Sequence, residues 1–176
     1  MASRFIELPV IQDIRNSADQ RDAKNLKEHG TVDTLYPGNQ FCRSVGFIMQ
    51  EVIAHVYPGL LHVDNTDYDY LYGSKRLDSK GFQYKFPPKP SYRIHVLEYA
   101  FNKDIDIFVF GFLLSPELAT AWVVGYLPKE EYRRKSTYVL KGQRLGDYPC
   151  DSNQYIARVE DLREPNTLMD YLRSIP

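Results

Sequence analysis

The chain of 176 residues carries 22 Lys and Arg against 23 Asp and Glu, a formal net charge of −1, and 43% of it is hydrophobic. Near-neutral charge gives no bulk reason to expect a nucleic-acid partner, and the length suits one domain with a good core. No apolar run approaches the ~18 residues of a membrane span, so a soluble protein with no membrane partner is expected. The cysteines Cys42 and Cys150 have no metal-site spacing and point to the reduced cytoplasm.

Residues 10–29 predict a polar surface helix, followed by the breakers Gly30 and Pro37-Gly38-Asn39. Val45, Ile48, Met49, Val52, Ile53 and Val56 fall on one helical face, which predicts a core-packed helix ending before Pro58-Gly59. Tyr68–Tyr72 then predicts a strand, Gly73-Ser74 a two-residue turn, and Lys75–Lys80 the returning strand. Further strands are predicted at Ser91–Val96, Ile105–Leu114 and Ala121–Leu127. The nearly all-apolar IDIFVFGFLL suits a central strand buried on both faces. Pro128 opens a short helix over PKEEYRRKS, and a strand at Gln154–Val159 and a helix at Thr167–Ser174 close the chain. The expected class is α/β in the wide sense (α+β), a mixed β-sheet with flanking helices. It forms a single domain, 1–176, with 1–40 as a helical extension and 41–176 as the core.

Charge is uneven along this order. Residues 71–100 hold six Lys and Arg against two acids, and residues 129–144 again six against two, in an otherwise acidic chain. Such islands are either positive surfaces that phosphate would feel or solvated faces, and charge alone does not choose.

The hairpin carries the chemistry. Asp78 and Lys80 are two residues apart on a strand and share a face. With Gly73-Ser74 as the loop, Tyr72 pairs with Lys75 and Tyr70 with Leu77. Asp69 then faces Asp78, Asp67 faces Lys80, and all four side chains share one face. Opposed carboxylates have Cβ atoms about 4.5–5.5 Å apart and repel, so they call for a cation. Lys80 is one candidate and a divalent metal a better one, because Mg²⁺ needs one or two carboxylates and fills its shell with water and phosphate oxygen. The backbone carbonyl of Ser79 is a further candidate ligand, and Lys80 would stand beside a metal-bound water. The plain alternative is a surface hairpin with exposed ion pairs worth ~0–1 kcal/mol each. On either reading Asp78 and Lys80 lie outside the core, and truncating them should cost little stability.

Asp69, eight residues, then Asp78-Ser79-Lys80 resembles the PD-(D/E)XK signature of restriction-endonuclease-like nucleases, on the strand-turn-strand where that superfamily carries it. The similarity runs from about Phe41 onward, through PPKPSYRIHV, DIDIFVFGFLL, AWVVGYLPKEEYRRK and YIARVEDLREPNTLMDYL, and is closest to small phage and bacterial members. The resemblance implies a restriction-endonuclease-like core and a Mg²⁺- or Mn²⁺-dependent endodeoxyribonuclease. Asp69 and Asp78 would be metal ligands and Lys80 the catalytic lysine. Glu51 is the candidate for the helix glutamate that many members add, a solvated helix Glu being the alternative. Two departures stand out: Tyr68 replaces the proline of the motif, and Asp78 replaces the commoner glutamate, shortening its reach by about one methylene.

DNA is the implied partner, in the cytoplasm, or the host cytoplasm if the protein is viral. A homodimer would suit cutting of both strands. Lys75, Arg76, Lys85, Lys89 and Arg93 would contact phosphate near the motif, and Lys129, Arg133, Arg134 and Lys135 would do so from the later helix. Tyr84, Phe86 and Tyr92 interleave with the first set, either to meet sugars and bases or to pack under the sheet. The rival reading is a catalytically inactive nuclease-fold protein that binds nucleic acid or protein, for example a phage regulator of host defence.

Overall fold

The computed structural model describes residues 4–29, 40–63, 67–115, 117–145 and 148–175. In chain order these form β1 (Ile6–Pro9), α1 (Gln12–His29), α2 (Gln40–Val56), β2 (Leu61–His62), β3 (Tyr70–Tyr72) and β4 (Lys75–Tyr84). Next come β5 (Arg93–Leu97), a 3₁₀ turn at Glu98–Asn102, β6 (Ile107–Leu114), β7 (Thr120–Pro128) and α3 (Lys129–Lys135). The last part holds β8 (Thr137–Val139), β9 (Arg144–Leu145), β10 (Tyr148–Pro149), β11 (Gln154–Arg158), 3₁₀ turns at Val159–Asp161 and Pro165–Thr167, and α4 (Leu168–Ser174).

The central sheet has six strands in the order β1-β7-β6-β4-β3-β2. It is mixed: β4 and β6 run parallel, and the other neighbours are antiparallel. Alternation along β6 divides the core in two. Ile107, Val109 and Leu113 face the helices, and Phe108, Phe110 and Phe112 face the other way. The fold is therefore α+β with a mixed sheet, as expected, but helices α1 and α2 cover one face only. A second sheet, β5-β11-β8, covers the other, with Tyr132 of α3 buried beneath it.

The described residues 4–29 are built into this core. β1 pairs antiparallel with β7, and Ile14 and Ala18 of α1 are buried with the α2 stripe. Gly81 and Gly111 are register partners on β4 and β6. A Cβ on Gly111 would lie 2.2 Å from the Met49 sulfur, and one on Gly81 would lie 3.1 Å from the Met49 Cβ. The missing side chains leave a hollow that Met49 fills, so α2 lies close against the sheet. That approach brings the next residue of the helix, Gln50, to the hairpin.

Candidate functional site

Gly73 has φ +57° and Ser74 does not have a positive φ, the pattern of a type II′ loop. The register follows from it: Tyr72 opposes Lys75, Leu71 opposes Arg76, and Tyr70 opposes Leu77. Beyond that point the expected ladder fails. The Asp69 N–H donates to the Leu77 carbonyl at 2.9 Å, so Leu77 is met by two residues of the facing chain, as in a β-bulge. Asp69 does not sit as the strand partner of Asp78. Its side chain instead replaces the missing ladder bond, with Oδ2 accepting from the Ser79 N–H at 2.7 Å and the Ser79 hydroxyl at 2.5 Å.

Ser79 lies on the α2 face with Leu77 and Gly81, while Asp78 and Lys80 project to the opposite face. The expectation of one shared face is thus corrected by the bulge: the Asp69 carboxylate lies at the open edge of β4, and Asp78 lies across the strand from Ser79. Gln50 Nε2 donates to the other Asp69 oxygen at 2.8 Å, and Tyr70 donates its hydroxyl to the Gln50 carbonyl at 2.6 Å. Residue polarity in a strand sends N–H and C=O to the same side. The Ser79 carbonyl therefore points to the edge where its N–H meets Asp69.

The Asp78 carboxylate is 8% exposed and forms an ion pair with the Lys80 ammonium, itself 26% exposed. Asp78 Oδ2 is the oxygen that meets the ammonium. The pair is therefore largely buried, and the expectation that both side chains lie outside the core is corrected. The ring of Phe108 lies 6.0 Å from Lys80 Nζ.

Although Asp69 lies at the strand edge, it is electrically part of the same cluster. Burial, and then the nearby Asp78 charge, push its pKa up to about 6, against the opposing pull of Ser79 and Lys80. Burial works against the Lys80 ammonium, yet the Asp78 and Asp69 carboxylates hold its pKa above the usual lysine value. The three groups named from the sequence thus interact: Asp78 and Lys80 are in contact, and Asp69 feels the charge of both.

Glu51 is placed differently. It pairs with Arg21 of α1 at 2.8 Å and lies 3.7 Å from His62 Nδ1, and burial raises its pKa despite Arg21. Its neighbour Gln50, not Glu51, reaches Asp69. The sequence offered a weak signal for this, since positions 50 and 51 are adjacent on the helix and an uncharged amide suggests no ligand. Among the described residues no group of three or more His, Cys, Asp or Glu converges as a metal site.

The basic residues are unequally free. Arg76 is held by Asp104 and Asp106, Lys129 donates to the Lys103 carbonyl at 2.7 Å, and Lys135 donates to the Asp161 carbonyl at 2.9 Å. Lys75 is half-buried at the turn, whereas Lys85, Lys89, Arg93 and Arg134 are exposed. Arg133 lies over the rings of Phe101 and Tyr155, at 5.9 and 5.8 Å. Tyr84 and Tyr92 stack on each other with centroids 4.6 Å apart, and Phe86 is 63% exposed.

No helix among the described residues is long and apolar enough to cross a membrane. Compared with protein-family models, curated proteins and solved structures, the chain matches none.

Proposed function

We propose that this chain is a metal-dependent nuclease that hydrolyses DNA phosphodiester bonds, with Asp69 and Asp78 as ligands of Mg²⁺ or Mn²⁺ and Lys80 as the catalytic lysine. One observation carries the reading. The nearly buried Asp78 carboxylate is held against the Lys80 ammonium, and a second carboxylate, Asp69, lies close enough to feel the charge of both.

These groups fit a hard divalent ion, which needs only one or two carboxylates and keeps several waters. Asp78 Oδ2 and an Asp69 oxygen would hold it, with the Ser79 carbonyl at the same edge. A bound ion supplies Lewis-acid stabilisation of a phosphoryl oxygen and a water of lowered pKa. The chain supplies the rest. Gln50 and Ser79 fix the Asp69 carboxylate, and the Lys80 ammonium stabilises negative charge that develops on the phosphate. Helix α2 before the hairpin and the ordered strands after it support a restriction-endonuclease-like core.

The rival is a nuclease-fold module that binds without cutting. It draws on the same geometry, because Lys80 already neutralises Asp78 and Gln50 with Ser79 already satisfies Asp69. The test is cleavage of plasmid, linear duplex, branched and single-stranded DNA with and without Mg²⁺ or Mn²⁺, alongside calorimetric metal titration. Metal-dependent cutting lost in Asp78→Ala supports the nuclease. DNA binding with no metal uptake and no cutting on any substrate supports the rival.

A further inference from the structure

Lys80 stands at one end of a groove that the hairpin does not by itself explain. It lines a cavity of about 150 Å³ with Phe82, His95, Leu97 and Tyr99. The same His95 and Leu97 line a second hollow of about 320 Å³ that includes Arg93, so the two adjoin along β5, and together they are taken as one trench. Alternation along β5 explains the wall. Ile94 and Val96 are buried under the second sheet, which leaves Arg93, His95 and Leu97 turned outward.

We propose, building on the nuclease reading, that this trench holds a single-stranded DNA segment and that the substrate is an unpaired strand or flap and not a continuous duplex. Depth is the first argument. Lys80, 26% exposed, lines the first hollow, and its ion-pair partner Asp78, 8% exposed, lies deeper behind it. A flexible strand can turn one phosphate into such a hollow at less cost than a duplex, which must first be deformed. The wall chemistry is the second. Sequence-tolerant single-strand sites combine a cationic track with aromatic faces, and the trench has Lys80 and Arg93 as cations and Tyr99, 48% exposed, as a ring at its rim. Acids are present too. Glu98 is engaged by the Tyr138 hydroxyl at 2.6 Å and by Asn153 at 3.0 Å, and Asp151 lines the hollow beside Arg93. From Arg93 to Leu97 the wall runs about 13 Å at ~3.3 Å per residue. With Tyr99 beyond it, the trench suits about four nucleotides, the lower end of such sites.

The experiment is fluorescence anisotropy in EDTA with a labelled oligonucleotide of about 12 nucleotides, free or annealed to its complement. The single strand should bind at least about tenfold tighter than the duplex. Tyr99→Ala should weaken single-strand binding by about tenfold, the loss of one stacked base. Arg93→Gln should weaken it as well, Tyr99→Phe should retain it, and thermal stability should be unchanged in all three. Duplex binding as tight as single-strand binding, or full single-strand binding in Tyr99→Ala and Arg93→Gln, overturns the trench assignment and leaves the nuclease reading standing. Failure to bind either form overturns the trench assignment, and the nuclease reading then stands or falls on the cleavage assay with Mg²⁺ or Mn²⁺.

Discussion

The raised pKa of Asp69 makes a prediction that needs no assumption about function. Its carboxyl titrates near 6 in the folded chain against an ordinary 3.8, chiefly through burial and the Asp78 charge. A difference of about two pKa units corresponds to about 3 kcal/mol, at ~1.4 kcal/mol each. Because the folded state holds the proton more tightly, stability falls as pH rises through the window from about 4 to about 6. At pH 7 the whole penalty is present. Asp69→Asn removes the ionisation and keeps the shape. Its amide oxygen can accept from Ser79, and Gln50 can turn its own oxygen toward the new NH₂ group. The variant should match wild type near pH 4 and exceed it by about 2–3 kcal/mol at pH 7, roughly 5–10 °C in Tm for a chain of this size. Thermal and urea unfolding of both proteins in EDTA, at several pH values from 4 to 7.5, measures the difference. Comparing the two cancels the other titrating groups. A variant less stable than wild type at pH 7, or a gap that does not change with pH, would refute the assigned environment of Asp69.

Lys80→Ala should be costly, by up to about 3–5 kcal/mol, because it strands a buried carboxylate, while the double change Asp78→Asn with Lys80→Gln should cost less; urea unfolding of both decides. Asp78→Ala should abolish metal binding measured by calorimetry, whereas Lys80→Gln should spare it and lose cleavage alone. Replacing Arg133 and Arg134 with Gln should lower the slope of log K against log salt by about 2, and an unchanged slope would make α3 a solvated face. Gly125→Ala should destabilise by at least about 2 kcal/mol in urea unfolding, since φ is +150° there and a Cβ would lie 2.4 Å from the Arg163 carbonyl oxygen.

The hairpin register was legible because a two-residue loop with glycine first fixes which residues face each other, and the strand need only follow. The α2 stripe was legible for the same kind of local reason, and Val45, Ile48, Met49, Val52 and Ile53 are all buried. The bulge at Asp69 was not, because it arises when a side chain captures the Ser79 amide, a choice with no periodic trace. Gln50 was passed over for Glu51 because charge suggests a ligand and an amide does not, although the Gly81–Gly111 hollow decides how α2 approaches. The second sheet depends on pairing β5 with β11 about sixty residues away, and the four-residue β1 is too short to show alternation. Arg76, Lys129 and Lys135 read as free cations in sequence, and only the fold reveals their internal partners.

The strand β1 also guards the sheet. Without it, Ala121 and Val123 of β7 would lie along an open row of N–H and C=O groups, flat, apolar and ready to pair with a second chain. β1 covers that row with four residues and is fastened by two sets of side-chain contacts. Glu7 accepts from the Trp122 indole at 3.0 Å, and the Arg4 guanidinium donates to the carbonyls of Val159, Glu160 and Leu162. Its own outer edge is short, carries the exposed Glu7 and ends in Pro9, which has no N–H to offer a neighbour. The described N-terminal strand thus exchanges an adhesive margin for one that a further strand extends poorly.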